Sequence, residues 1–357
     1  MAEAIRATAA GGTHRGLAMR LRPATAAIAL AALVCCMVAG TLIGPAGIGP
    51  GDTARVVLNH VAGASFDVPR QADAIIWEIR LPRVLLAGVV GATLAFSGAA
   101  YQGVFRNPLA DPYLLGVAAG AGLAGAIAIV LDAPLRQGGF SLLPLVSFGG
   151  AMTAVLLAYN IAHAGGQTPN TTLILAGVTL SSISVAAISY ILIVDHQSSN
   201  AVLSWLLGSF NGSGWRDLSY VLPYAVPAGI VVFLHGRVLN VLQLEESEAS
   251  YVGLDVQRTK AIILLAASLA AAAAVSVVGI IGFVGLVSPH FVRLLLGPDY
   301  RRLLPVVVLV GASFLILADI GARSLVSPGE LPVSILTSFV GAPFFLFLLR
   351  RQRRVYF

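Results

Sequence analysis

Apolar residues run through this chain in long blocks rather than alternating with polar ones. Val84–Phe105 and Tyr113–Leu131 contain no Asp, Glu, Lys or Arg, and neither does Gln137–Val194. Further blocks cover Pro23–Leu42, Leu218–Gly236, Ala261–Val292, Leu303–Ala318 and Leu331–Leu349. A helix needs about 20 apolar residues, at 1.5 Å rise each, to cross a bilayer. Gln137–Val194 is long enough for two spans, broken by the polar, Gly- and Pro-containing turn His163–Asn170. Ala261–Val292 is too long for one span, and Ser288-Pro289-His290 is the expected break. The pattern predicts an all-α integral membrane protein of about ten transmembrane helices.

Between these blocks lie polar segments. Gly44–Trp77 and Asp195–Asp217 are expected on the outer face, the first with a short helix through His60, the second with a surface helix over Ser204–Phe210. The largest inner loop, Asn240–Lys260, has helical spacing and carries Glu245, Glu246 and Glu248. The chain therefore divides into a tail (1–22), a membrane domain (23–349) containing the loop 240–260, and a second tail (350–357). The two halves share a pattern. Arg83 opens a span leading to Asn107-Pro108-Leu109-Ala110-Asp111-Pro112, and Lys260 opens one leading to Ser288-Pro289-His290. Because those spans start on opposite sides, an inverted repeat is expected.

Composition agrees with the pattern: 57% of residues are hydrophobic and 11% charged, where soluble domains carry about a quarter charged. The net charge of +6 concentrates at span ends. Arg15, Arg20 and Arg22 precede the first span, and Arg350, Arg351, Arg353 and Arg354 follow the last. The positive-inside rule then puts both termini in the cytoplasm and requires an even number of spans. The charge is this bias, not a nucleic-acid surface. A cleaved signal peptide is the other reading of the N-terminal region, but its apolar stretch is long and lacks a clear cleavage site.

Catalytic chemistry is absent from the pattern. Six histidines are scattered without H-x-x-x-H spacing, and the two cysteines, Cys35 and Cys36, are adjacent, so neither a metal site nor a disulfide framework is expected. No G-x-S-x-G elbow occurs. The single lysine, Lys260, lies in Thr-Lys-Ala and not in a Gly-Lys-Ser/Thr P-loop. If ATP drives this protein, a second polypeptide must hydrolyse it.

Three blocks carry a family resemblance: Ile79–Gly122 (IRLPRVLLAGVVGATLAFSGAAYQGVFRNPLADPYLLGVAAGAG), Gly279–Pro305 (GIIGFVGLVSPHFVRLLLGPDYRRLLP) and Leu317–Arg351. They resemble the FecCD-type permeases of binding-protein-dependent ABC importers for iron-siderophores, haem and cobalamin. Ser334 stands where that family usually has Gly. The resemblance implies a homodimer in the bacterial plasma (inner) membrane with its pathway at the twofold interface. It also implies two ATPase subunits inside, which use ATP and Mg, and a periplasmic or lipid-anchored binding protein outside. This chain is then a transport subunit, not an enzyme, and binds no cofactor.

Residue by residue, the resemblance implies that Arg80, Arg83 and Arg323 dock glutamates of the binding protein. Internal pairing of Arg323 with Asp319 or Glu330 is the alternative. It implies that Asn107, Leu109, Asn170 and Thr171 form a cytoplasmic gate, although both asparagines also suit helix capping. It assigns Glu245, Glu246, Glu248, Gly253 and Leu254 to ATPase coupling, with Gly253 ending a helix. An ion-gradient-driven secondary transporter, using Asp319 or His290, is the competing mechanism. No residue separates ferric siderophore, haem and cobalamin as substrate.

Overall fold

A computed structural model describes residues 23–356, apart from 45, 132–135, 138–139, 164–166, 245, 252 and 327–328. The tail 1–22 and Glu245 thus lie outside the described residues. Among the described residues the regular structure is helical, save one antiparallel ladder pairing Arg136–Gln137 with Phe140–Ser141. The helices are α1 (Pro23–Leu42), α2 (Pro50–Ala62), α3 (Arg70–Phe105), α4 (Val117–Val130), α5 (Leu143–Ala162), α6 (Asn170–Val194) and α7 (Ser199–Leu206). There follow α8 (Trp215–Leu234), α9 (Gly236–Val241), α10 (Glu246–Tyr251), α11 (Val256–Val278), α12 (Val284–Leu296), α13 (Tyr300–Ser324) and α14 (Val333–Tyr356).

Seven of these (α1, α3, α5, α6, α8, α11 and α13) are long and apolar enough to cross a membrane. α4, α12 and the Val333–Leu348 part of α14 are shorter and apolar. Together they make the expected ten. α3 and α11 form the centre of the bundle: α3 packs on α1, α8, α11, α12 and α13, and α11 on α4, α5 and α8. The alanine run Ala270–Ala274 of α11 is buried, and such small side chains let helix backbones approach closely where lipid gives no hydrophobic drive for association. Ser97 Oγ donates to the Ala267 carbonyl (3.0 Å), and Tyr101 shares a 2.6 Å hydrogen bond with Ser268, so polar groups fasten α3 to α11.

The two halves repeat a helix order. In α3–α6 and in α11–α14 the second helix is short, with 14 residues in α4 and 13 in α12. Each short helix is entered through a left-handed residue, Gly116 (φ 84°) and Phe283 (φ 67°).

Several boundaries differ from the sequence expectation. The long block Ala261–Val292 breaks at residues 279–283, not at Ser288-Pro289-His290, which lies inside α12. A proline within a helix frees the carbonyl four residues earlier. Here that carbonyl, of Gly285, accepts from Gln102 Nε2 at 3.3 Å, so α3 repairs the defect. The same contact explains Gly98, where a Cβ would collide with the Gly285 carbonyl. The surface helix α7 begins earlier than expected and ends at Leu206, because Gly208 turns left-handed (φ 66°) and donates back to Trp205. The expected inner loop splits into α9, α10 and the first turn of α11. At the other end of the chain, α14 continues through 350–356 as helix.

Candidate functional site

The predicted site residues fall at two levels along α3, around Arg80–Arg83 and around its last turn. About 25 residues, or roughly 37 Å of helix, separate Arg80 from Phe105. At the Arg80 end three arginines converge. Arg80, Arg83 and Arg323 are 4–6% exposed, and Asp319 is 1% exposed. Arg83 grips two carboxylates at once: Nε and Nη2 donate to Asp319 (2.8–3.2 Å), and Nη1 and Nη2 donate to Glu330 (both 3.0 Å). Arg323 Nε sits 3.4 Å from Asp319, one helical turn away on α13.

The remaining donors close the end of α1. Arg80 donates to the carbonyls of Thr41 (3.3 Å), Leu42 (3.1 Å) and Ala46 (2.5 Å), and Arg323 donates to that of Gly40 (2.6 Å). The last carbonyls of a helix lack intrahelical partners and carry partial negative charge, so two guanidiniums there serve as a cap. All three forks are therefore turned inward, onto helix ends and internal carboxylates, and Arg323 pairs with Asp319. Asp319 belongs to this ion-pair cluster.

Beside the cluster, α2 is held against the start of α3. His60 Nε2 lies 2.9 Å from Asp73, and its ring stacks on Trp77 at 4.1 Å. Trp215 Nε1 donates to the Trp77 carbonyl at 2.9 Å. Aromatic rings of this kind gather at membrane–water interfaces. Ser334 Oγ donates to the Leu207 carbonyl and ties α14 to the end of α7.

At the opposite end, the chain leaves α3 through Arg106 (φ 51°). Asn107 Oδ1 accepts from the Leu109 amide (2.9 Å), which leaves Leu109 projecting at 57% exposure. Pro112–Leu115 is a 3-10 turn capped by Asp111, whose Oδ1 accepts from the Tyr113 amide at 2.8 Å. This turn folds back into the bundle, since Pro112 packs beside Gly285 and the Tyr113 hydroxyl donates to the Ile281 carbonyl (2.9 Å). Asn170, the first residue of α6, donates to the Val104 carbonyl at 3.5 Å. The structure thus brings Asn107, Leu109 and the Asn170-Thr171 start of α6 to one end of the bundle, around the last turn of α3.

The acidic segment lies at that same end. Glu246 and Glu248 are on α10, and Glu248 is exposed. The helix closes with a Schellman pattern: the Gly253 amide donates to Ser250 (2.9 Å) and the Leu254 amide to Ala249 (3.3 Å), with Gly253 at φ 86°. Asp255 then caps α11 through the Arg258 amide (3.0 Å). Neighbouring residues tie this segment to the bundle. Gln243 Nε2 donates to the Gly103 carbonyl (2.9 Å) and Arg106 to that of Leu244 (3.0 Å). Asn240 joins Asp299 (2.7 Å) and the Tyr300 amide (2.9 Å) at the start of α13.

Sequence reasoning did not single out Asn240, Gln243, Gln257 or Asp299. Their partners lie at distant positions, and the available signal was polar residues clustered at span ends facing apolar helices. Among the described residues, no group of His, Cys, Asp or Glu could hold a metal ion.

This geometry has relatives. The chain is 41% identical over 295 residues to the cobalamin import system permease protein BtuC of Halobacterium salinarum, covering 83% of this chain and 78% of that one. It is 41% identical over 288 residues to the hemin transport system permease protein HmuU of Yersinia pestis, covering 78% and 84%. A solved inward-facing ABC transporter chain, described as of the metal-chelate type, superposes with a TM-score of 0.80 at 31% identity, covering 92% of this chain and 99% of that one. The model of the FecCD transport family matches residues 31–351. With ten apolar helices, the family's sequence over nearly its whole length and no ATPase motif of its own, the chain belongs to the FecCD transport family, as the multi-pass permease subunit of an ABC importer.

Proposed function

We propose that two copies of this chain form a pathway that imports a metal chelate or corrinoid (a ferric siderophore, haem or cobalamin) across the bacterial plasma membrane, with both termini in the cytoplasm. Two ATPase subunits, using ATP and Mg, dock on the inner face around α10, and a binding protein delivers cargo outside. The observation that carries this reading is the gathering of Asn107, Leu109 and Asn170-Thr171 with the acidic segment at one end of the bundle. A constriction and its drive must share an end for ATPase motion to reach the pathway.

On the outer face, three guanidiniums against two carboxylates leave the Arg80–Arg83–Arg323 cluster net positive. The arginines then serve docking by setting the shape and field of the outer surface, which draws an acidic partner, rather than by offering free forks.

Cross-linking tests the arrangement. With Cys35 and Cys36 replaced by Ser, Thr171→Cys is expected to form a disulfide between two copies of the chain in the assembled transporter. The yield should change when ATP is added. A chain that stays monomeric in the active complex, or a yield indifferent to nucleotide, contradicts the shared gate.

A further inference from the structure

Lys260 is the only lysine in the sequence. It sits in the first turns of α11, directly after the acidic segment, and is 3% exposed. Its ammonium donates to Asn170 Oδ1 at 3.1 Å. One turn earlier on the same helix, Gln257 Oε1 accepts from both the hydroxyl (2.7 Å) and the amide (3.1 Å) of buried Thr168. Positions three apart lie on one helix face, so a single face of α11 holds the entry to α6 by two side chains. Asn170 in turn reaches the Val104 carbonyl at the end of α3.

Burying an ammonium is costly unless it is paired or hydrogen-bonded. For apolar packing alone a leucine or methionine would serve at this position. A buried hydrogen-bonded cation is directional: it resists being pulled from its acceptor, and thus carries tension as well as compression. The acidic helix α10, which would take up ATPase motion, is followed within a few residues by the Asp255 cap of α11.

We infer that Lys260, with Gln257 beside it, is the mechanical link that pulls the start of α6, and hence Asn170 and Thr171, when the acidic segment moves. Lys260 is a positioning residue: it touches neither cargo nor nucleotide. The inference rests on the ATP-driven reading above. It adds that coupling to the gate runs through the side chains of Lys260 and Gln257 on one face of α11.

The test uses the full complex of this chain, its ATPase and its binding protein in proteoliposomes. Uptake and ATP hydrolysis are measured together for wild type, Lys260→Met, Lys260→Arg and Gln257→Leu. Coupling free energies between sites commonly correspond to 5–150-fold effects, so Lys260→Met should raise ATP hydrolysed per molecule imported by about tenfold. Gln257→Leu should do so by less, and Lys260→Arg, which keeps a cationic donor, should recover most of the coupling. A purely structural lysine would instead lower assembled complex, uptake and hydrolysis in parallel, leaving the ratio unchanged, and that result overturns the link.

A second measurement needs no variant. Amine-reagent labelling of Lys260 in the wild-type complex, read on its peptide by mass spectrometry, should differ between nucleotide-free and ATP-bound states. Equal labelling in both overturns the link as well. If wild type itself imports without ATP, it is the importer reading that has failed, and the two failures are distinct.

Discussion

The buried charge cluster makes the sharpest stability prediction. Asp319 accepts from Arg83 and faces Arg323, with almost no solvent. Asp319→Ala leaves three guanidiniums with Glu330 as their only carboxylate in the cluster. Breaking a buried pair by removing one partner costs about 3–5 kcal/mol, because the remaining charge is uncompensated. The Glu330 side chain is a quarter exposed (26%), so water screens its loss, and Glu330→Ala should cost about 1 kcal/mol, as for other partly exposed pairs. Arg83→Ala falls between, since Asp319 keeps Arg323. The assay is SDS-titrated unfolding in mixed micelles followed by tryptophan fluorescence. Trp77 and Trp215 touch one another beside the cluster, so they report the end being perturbed. Arg83→Ala combined with Asp319→Ala should cost less than the sum of the singles by roughly 1 kcal/mol or more, as contacting residues couple. If Glu330→Ala costs as much as Asp319→Ala, or if the singles simply add, the cluster does not hold this end together.

Other predictions concern single positions. Gly98→Val should sharply reduce folded, monodisperse protein on size exclusion, because its side chain meets the Gly285 carbonyl and overpacking costs about 1–3 kcal/mol or more; Gly149→Ala, with open space around it, is the neutral control. Gly253→Val should weaken ATPase-stimulated transport, since φ 86° disfavours a β-branched residue by about 1–3 kcal/mol, measured as uptake at equal expression. The Asp299 carboxyl is held down to about 2, chiefly by the Arg301 guanidinium and also by Asn240, below its unfolded value of about 3.9. Its stabilising contribution is therefore complete above about pH 4 and fades as pH falls toward 2. Asp299→Asn should flatten that part of the acid-unfolding profile, and an unchanged profile would refute the assignment.

Much of the fold was legible because a membrane span is a local property: apolar length and charge at its ends are written in consecutive residues. The apolar helices and the acidic segment between them follow from that. What escaped depended on distant partners. Ser288-Pro289-His290 reads as a break, yet Gln102 on another helix satisfies the carbonyl that the proline frees. Tyr113 reads as the start of a span, but Pro112 and left-handed Gly116 make a separate turn there. Arg80 and Arg83 read as docking cations at the end of a span, and only the approach of α1 and α13 shows where their donors go. The tie between Lys260 and Asn170 spans ninety positions and has no local signature beyond a solitary lysine at the head of an apolar helix.

What the geometry proposes above all is ATP-driven import through this chain. Its most direct test is uptake into proteoliposomes containing the chain with its ATPase, the binding protein outside, and a ferric siderophore, haem and cobalamin offered in parallel. Accumulation of one of these should require internal ATP and survive collapse of ion gradients. Uptake that ignores ATP and follows a proton or sodium gradient would contradict it.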